Sequence, residues 1–350
     1  MLTVQPNEIV NILSPVYAAG EEIPSVMLWG APGVGKSDGI KSLAKKLHEL
    51  TGKKVVITDV RLLLFNPIDL RGIPVPDVNK EFAIWLKPQI FNLDPSDDVI
   101  NIVFLDEISA APPTVQASAY QLTLDKKVGE HELPANSFII AAGNRVQDKG
   151  VAYKMPTPLA NRFTHFEVQP EIEDWKEWAI PNGVHPTVIG FLNFRPNKLH
   201  DFDPSRDELA FPTPRSWATV SKYTKIYGSV DAAYKMIAGT IGEGVGVEFK
   251  QFAKVYGELP DVEKILNGEK VTYKKTPDVT YALSAALVTA SARATEDQLR
   301  NLINFTITDL ESEFSVLTIR DMLRTPGVKE RLLKVKEWMI WAKNYKHLIQ

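Results

Sequence analysis

The sequence predicts an α/β domain built on a parallel sheet, followed by a region made of helices. Over the first 170 residues, short apolar runs alternate with amphipathic stretches, a pattern typical of parallel strands covered by helices. One run, Val99–Leu105, is almost continuously apolar, as expected of a strand buried on both faces. From Pro212 onward helical spacing dominates, so the helical region occupies the second part of the chain.

Five strands are predicted where β-branched and apolar residues cluster between turn residues. They are Ser25–Trp29, Lys54–Val60, Val99–Leu105, Ser137–Ala142 and Phe163–Val168. A helix is predicted from Lys36 to Leu50, because apolar residues recur there at helical spacing and Gly52 ends the pattern.

Helices are also predicted along the rest of the chain. Their ranges are Glu171–Ile180, Thr187–Phe194, Ser216–Tyr227, Val230–Gly239, Val279–Ala292, Asp297–Leu310 and Val328 to about Lys346. The segments Gly242–Gly246 and Leu259–Tyr273 are predicted to be linkers or surface loops. We therefore expect an α/β domain over residues 1–205 and a helical region over residues 206–350.

Composition bounds the kind of protein. The 350 residues are 44% hydrophobic and 24% charged, as in an ordinary globular protein, and the formal net charge of −3 favours no particular partner. The absence of Cys excludes disulfides and thiolate metal sites. Neither a signal peptide nor an apolar run long enough to cross a bilayer is apparent, so a cytoplasmic location is expected.

A glycine-rich segment follows the first predicted strand and opens the first predicted helix. It fits the spacing G-x-x-x-x-G-K-[ST] and consists of Gly30, Ala31, Pro32, Gly33, Val34, Gly35, Lys36 and Ser37. Its glycines let backbone N–H groups converge on phosphate oxygens, and the helix N-terminus adds the positive end of its dipole. We expect Lys36 to contact the β- and γ-phosphates of ATP and Ser37 to bind Mg²⁺. The alternative is a tight glycine turn without a ligand.

Polar side chains end two further predicted strands. Asp106 and Glu107 follow the apolar run, and we expect Asp106 to serve Mg²⁺ and Glu107 to polarise the attacking water. Asn144 follows the strand Phe138–Gly143, where its amide is expected to hydrogen-bond the γ-phosphate and the water together. The alternatives are a solvated acidic pair and a turn residue.

This order of strand ends resembles the AAA+ superfamily of ATPases, and within it the MoxR-type members. Leu105–Pro113, followed by Gln116 and Ala117, resembles their DEINRAPP…Q segment, and Met155–Phe163 resembles their LPEAQLDRF segment. The resemblance spans about residues 25–230. It implies an AAA+ P-loop αβα sandwich with a parallel sheet, followed by an all-α lid and C-terminal domain.

The region of about residues 62–91 resembles the insert that MoxR-type members carry in their second helix. The matching pieces are Asp69–Pro74, Phe82–Trp85 and Pro88–Phe91. In a ring, this insert and the loop Lys126–Pro134 would face the axis or one rim, where Trp85 and the prolines would grip a polypeptide. A solvated hairpin is the alternative.

The resemblance implies functional roles for two arginines. Arg162 stands at the arginine-finger position, which completes a neighbouring subunit's active site, and Arg215 stands at the sensor-2 position at the start of a lid helix. The alternatives are an arginine paired within its own domain and a surface or capping arginine. The chain departs from the family pattern at Thr157 and Pro158 before the finger and at Arg145 after Asn144, which makes the family's partners an unsafe guide.

The resemblance implies a Mg²⁺-dependent ATP hydrolase that assembles into a ring, usually a hexamer, and remodels or matures a partner protein. Partners of MoxR-type members often carry a von Willebrand A domain. A third class is a nucleotide-gated binding module without useful turnover, and the presence of Glu107, Asn144 and Arg162 argues against it.

The rival is a nucleic-acid-directed motor, such as a helicase, loader or restriction-type NTPase. The support for this alternative is a stretch near the end of the chain in which basic residues are interleaved with aromatic ones. These are Arg320, Arg324, Lys329, Arg331, Lys334, Lys336, Lys343 and Lys346, with Trp338, Trp341 and Tyr345. An amphipathic packing helix with Leu332, Val335 and Met339 on its apolar face is the simpler interpretation, so nucleic acid is the less favoured partner.

Overall fold

The computed structural model describes residues 1–148, 153–206 and 208–345. Packing divides the chain into two compact units. The first comprises Met1–Pro170 and Asp203–Arg206, and the second comprises Glu171–Phe202 and the described residues after 207. The units thus divide at Pro170. The boundary expected after residue 205, between an α/β domain and a helical region, stays a prediction.

The first unit is built on a parallel sheet. Its strands are β1 Leu2–Val4, β2 Ser25–Trp29, β3 Lys54–Arg61, β4 Ile73–Pro76, β5 Ala83–Leu86, β6 Val99–Asp106, β7 Lys127–Val128, β8 His131–Glu132, β9 Ser137–Gly143 and β10 Phe163–Val168. Six of them form one sheet in the order β1-β10-β2-β9-β6-β3, and every neighbouring pair is parallel. The predicted fold class is confirmed.

Helices flank this sheet. They are α1 Pro6–Ala19, α2 Lys36–Thr51, α3 Pro67–Arg71, α4 Pro113–Asp125 and α5 Thr157–Ala160, with short 3-10 turns at Leu62–Leu64, Gln89–Phe91 and Val146–Asp148. Helix α2 buries Ile40, Leu43 and Leu47, the face that its apolar spacing predicts.

The predicted insert, residues 62–91, contains an antiparallel hairpin of β4 and β5. Its large apolar side chains are mostly exposed, which is unusual for a segment of this size. The exposed residues are Leu63, Leu64, Ile68, Ile73, Val78, Phe82, Ile84, Leu86 and Ile90.

The second unit is helical. Its helices are α6 Ile172–Ala179, α7 Pro186–Phe194, α8 Pro214–Tyr227, α9 Val230–Ile241, α10 Glu243–Gly257, α11 Val262–Leu266, α12 Pro277–Ser291, α13 Glu296–Thr308, α14 Ser312–Arg324, α15 Val328–Leu332 and α16 Lys336–Tyr345, with a 3-10 turn at Pro196–Lys198. No helix among the described residues is long and apolar enough to cross a membrane.

The predicted linker Gly242–Gly246 is wrong, because helix α10 begins at Glu243. Glycines suggested a loop, but Gly246 allows two helices to approach closely. A Cβ at Gly246 would lie 3.1 Å from the Cα of Ala238 on α9. The second predicted linker, Leu259–Tyr273, contains the short helix α11.

The long helix predicted from Val328 is broken into α15 and α16, and Lys346 lies outside the described residues. The break changes which residues face the core. Val335 and Trp341 are buried, whereas Met339, predicted to pack, is 68% exposed. A single straight helix would have kept Met339 on the face of Leu332 and Val335.

Candidate active site

The glycine-rich loop connects the end of β2 to the start of α2. Gly35, the residue before the helix, has a φ of 101°, a left-handed conformation that a Cβ disfavours. Ala31 and Val34 are buried, while Pro32 and Gly33 are half-buried. The N–H of Gly30 donates to the carbonyl oxygen of Gly143, 3.2 Å away, which attaches the loop to the end of β9. The loop therefore has the open backbone shape and helix N-terminus of a phosphate cradle.

The side chain of Lys36 is buried in the mouth of this loop. Its ammonium donates to the carbonyl oxygens of Gly30 and Ala31, at 2.7 and 3.0 Å. It also lies 3.2 Å from the Oδ1 of Asn144, at the end of β9. Because β9 lies directly beside β2 in the sheet, the two strand ends place this cation and this amide together.

Ser37 and Asp106 form the second contact of the site. The Oγ of Ser37, at the start of α2, donates to Oδ2 of Asp106, the last residue of β6, over 3.3 Å. No cluster of three or more His, Asp or Glu side chains suited to a metal occurs in the described residues. One hydroxyl and one carboxylate fit Mg²⁺, which is usually held by few protein groups together with phosphate oxygens.

Glu107 has an unusual backbone conformation. Its φ is 58°, in the left-handed region that non-glycine residues rarely adopt. Its N–H donates to Oδ1 of Asp106 at 2.9 Å, and its side chain is exposed. The turn thus directs the two adjacent acids differently, with one in contact with Ser37 and the other free toward solvent. Strain of this kind is concentrated at functional sites.

Arg145, which departs from the family pattern, anchors the segment that follows Asn144. Its guanidinium pairs with the buried Asp148 at 2.8 Å and with Glu167 of β10. The hydrogen bonds and charge of Asp148, followed by the charge of Glu167, raise the pKa of Arg145 above its usual value. No local pattern in the chain indicates this arrangement, because Glu167 lies on a strand 22 positions after Arg145.

Arg162 follows the short helix α5 and is exposed. Within the described residues, its guanidinium forms no ion pair or side-chain hydrogen bond, so the alternative of pairing within its own domain finds no support. Arg215 belongs to the second unit, where it is the second residue of α8 and is exposed. The structure therefore brings Lys36, Ser37, Asp106 and Asn144 together, and the roles of the two arginines stay predictions.

Comparison with known proteins agrees with this geometry. Residues 25–165 match the sequence model of the ATPase family associated with various cellular activities (AAA). The matched segment runs from the first residue of β2 to His165 and includes every strand-end residue described above. No curated protein sequence matches the chain.

Several solved structures are similar at low identity. A candidate ATPase from Cytophaga hutchinsonii is 17% identical, with 64% of this chain and 59% of that chain covered and a TM-score of 0.35. NtrX from Brucella abortus in complex with ATP is 13% identical, covers 94% and 70%, and has a TM-score of 0.38. The RuvB Holliday junction branch migration motor of Thermotoga maritima is 14% identical, covers 98% and 93%, and has a TM-score of 0.32.

The chain spans less than two thirds of the length of the first of these structures. Scores this low carry no information about shared partners or substrates. The family match and the strand-end geometry nevertheless agree on the chemistry of residues 25–165. Residues 25–165 thus resemble the nucleotide-hydrolysing part of this ATPase family.

Proposed function

We propose that this chain is a Mg²⁺-dependent ATPase of MoxR-like type that works as a ring, with six subunits expected, and remodels or matures a partner protein. The observation that carries the proposal is the exposed guanidinium of Arg162, which has no partner among the described residues and lies in the same unit as a complete P-loop. A permanent charge in this situation is well suited to complete the site of a neighbouring subunit.

Each residue of the site takes one task in hydrolysis. Lys36 binds the β- and γ-phosphates, and Asn144 orients the γ-phosphate and the attacking water. Glu107 accepts a proton from that water, since its carboxylate is exposed and directly follows Asp106 at the end of β6. Ser37 and Asp106 would hold Mg²⁺, which when bound neutralises the charge that develops on the phosphate oxygens.

The two arginines act later in the same reaction. Arg162 stabilises the charge on the phosphoryl group of the adjacent subunit, and Arg215 contacts the γ-phosphate bound in its own subunit. Through Arg215, the presence of the γ-phosphate would be communicated to the helical region.

The insert supports a polypeptide as the partner. Val78 is fully exposed, and Phe82 and Ile73 are 71% and 59% exposed on and beside the hairpin. Exposed apolar patches on an otherwise ordinary surface are typical of protein-binding sites. We also propose that the partner carries a von Willebrand A domain and that this chain works in the cytoplasm.

The nucleic-acid motor remains the alternative, but three arginines of the basic stretch that suggested it are engaged within the second unit. Arg320 and Arg324 both pair with Glu173 at 2.8 Å, and Arg331 donates to the backbone carbonyls of Ser291 and Ala292 at the end of α12. Trp341 is fully buried and stacks on Trp338. Lys346 lies outside the described residues. These contacts favour a packing role for the stretch.

A subunit-mixing experiment tests the ring. Arg162→Ala and Lys36→Ala subunits should each hydrolyse ATP very slowly, the first because it supplies no finger and the second because it binds no nucleotide. Mixed together they should regain activity, since an intact P-loop then meets an intact finger at some interfaces. Lys46→Ala, which removes an exposed cation on α2, is the control and should behave as wild type. Two variants that stay inactive in rings shown to be mixed would contradict the proposal.

A further inference from the structure

His165 lies on β10, three residues after Arg162, and both of its ring nitrogens are engaged. The indole Nε1 of Trp29 lies 2.9 Å from Nδ1 of His165, and the carbonyl oxygen of Ala160 lies 2.6 Å from Nε2. The Trp29 and His165 rings are also stacked, with an angle of 13° between their planes. The imidazole therefore bridges two segments that are distant in the sequence.

The chemistry of the two partners fixes the tautomer of His165. An indole N–H only donates and a backbone carbonyl only accepts. His165 consequently accepts at Nδ1 and carries its proton at Nε2. The bridge has a direction, from Trp29 through the ring to Ala160.

The two ends of the bridge belong to the two halves of the proposed composite site. Trp29 is the last residue of β2 and directly precedes Gly30 of the P-loop. Ala160 is the last residue of α5 and stands two positions before Arg162. The bridge thus links the strand that carries a subunit's own P-loop to the segment that carries its finger.

Helix α5 needs such a support. It has four residues, too few for a helix to be stable by itself. Leu159 anchors it in the core, and the N–H of Arg162 donates to the Leu159 carbonyl at 3.0 Å. The Ala160 carbonyl, at the helix end where no intrahelical donor follows, receives its hydrogen bond from His165.

We propose that His165 is a positioning residue that, by holding the Ala160 carbonyl against the end of β2, orients Arg162 for the neighbouring subunit's active site. This proposal rests on the role of Arg162 as a finger acting between subunits. It predicts that His165 matters in the subunit that supplies the finger and not in the subunit that supplies the P-loop.

Placing His165→Leu on one kind of subunit at a time tests this. In rings of Lys36→Ala and Arg162→Ala subunits, the former supply the finger and the latter the P-loop. On the Lys36→Ala subunit, His165→Leu should lower kcat of the mixture about 10- to 100-fold, the loss typical of a misplaced group, with KM for ATP little changed. On the Arg162→Ala subunit, the same substitution should leave the activity of the mixture within about twofold of the mixture without it. This change is smaller than the loss expected from a misplaced group.

Two further variants separate positioning from general damage. His165→Gln retains an N–H that can reach the Ala160 carbonyl and should restore part of the loss. Trp29→Phe keeps an aromatic ring in the core but removes the N–H, and should give a smaller loss, again only on the finger-supplying subunit. Thermal unfolding and nucleotide binding of each single variant confirm that it is folded.

The outcomes separate cleanly. Equal losses on both kinds of subunit, a loss on the P-loop subunit alone, or no loss on either would overturn the role of His165 while leaving the finger intact. An inactive reference mixture, without any His165 change, would instead refute the finger and this proposal together.

Discussion

The ammonium of Lys36 lies 3.2 Å from the Oδ1 of Asn144, which brings the start of α2 and the end of β9 together at the mouth of the glycine-rich loop. Asn144 accepts from Lys36 through its oxygen, which leaves its NH₂ group to donate toward the γ-phosphate. The same lysine thereby fixes the orientation of the amide.

We expect Asn144→Ala to bind ATP nearly as well as wild type and to lower kcat about 10²- to 10³-fold, the loss typical of one removed donor. Single-turnover hydrolysis with a fluorescent nucleotide measures both quantities. Asn144→Asp should be at least as damaging, because a carboxylate presents only oxygens to the γ-phosphate. Activity retained by Asn144→Asp would exclude donation by the amide.

Glu107→Gln should retain Mg-ATP and lose turnover by about 10²- to 10⁴-fold, because the amide cannot accept a proton while the cradle is unchanged. Lys36→Ala should instead weaken nucleotide binding itself. Equilibrium binding and steady-state hydrolysis, measured on both variants, distinguish the two effects. Wild-type turnover by Glu107→Gln would show that another group is the base.

The insert predicts which macromolecule stimulates the ATPase. A permanently unfolded carboxymethylated protein should raise wild-type turnover, and Phe82→Ser should abolish the increase without changing the basal rate, since this exposed side chain lies far along the chain from the strand ends. Lys80→Ser, in the same turn, is the matched control. A several-fold, salt-sensitive stimulation by DNA in place of protein would favour the nucleic-acid motor.

The ion pair between Lys176 and Asp321 joins α6 to α14 inside the second unit. Both side chains are almost fully buried, with Nζ and Oδ1 3.0 Å apart. Asp321→Asn should lower the free energy of unfolding by about 3 kcal/mol, because it leaves a buried ammonium with one carboxylate fewer. Glu177→Gln, which removes an exposed partner of Arg324, should cost under about 1 kcal/mol. Urea unfolding curves measure both, and equal costs would contradict the distinction.

His185 makes the second unit sensitive to mild acid. Burial, with a further contribution from the charge of Lys225, lowers the pKa of His185 below its usual 6.5. Its Nδ1 accepts the N–H of Thr187 at the start of α7, which requires the unprotonated nitrogen. The stabilisation is therefore present above pH 6.5 and is lost as the pH falls through the lower, folded-state pKa. His185→Asn, which caps the helix without titrating, should flatten the dependence of Tm on pH in this window. An unchanged slope would show that groups other than His185 cause the dependence of Tm on pH.

Local signals predict most of the sheet and the strand-end site. Ser25–Trp29 and Phe163–Val168 are strands with the predicted bounds, and Val99–Leu105 is extended only by Asp106. Buried parallel strands are continuous apolar runs, and the P-loop has a fixed spacing, so both can be identified without tertiary information.

What the sequence does not predict depends on contacts between distant segments. Strand β1 has three residues, too few for a period, and is defined by its pairing with β10. Helix α10 is not predicted, because its glycines indicate a loop, whereas Gly246 allows close packing against α9. The Trp29–His165–Ala160 bridge joins residues more than a hundred positions apart, and no local pattern in the chain indicates it.

On the proposed role of Glu107 as the base, its left-handed backbone sets ATP hydrolysis against thermal stability at a single position. An L-residue with a side chain in this conformation costs roughly 1–2 kcal/mol, and Gly or Asn at the same place avoids most of that cost. Selecting variants for thermal stability alone would thus favour replacement of Glu107. The resulting protein would bind ATP but not hydrolyse it. Keeping the strained glutamate is then a loss of stability that ATP turnover requires at this turn.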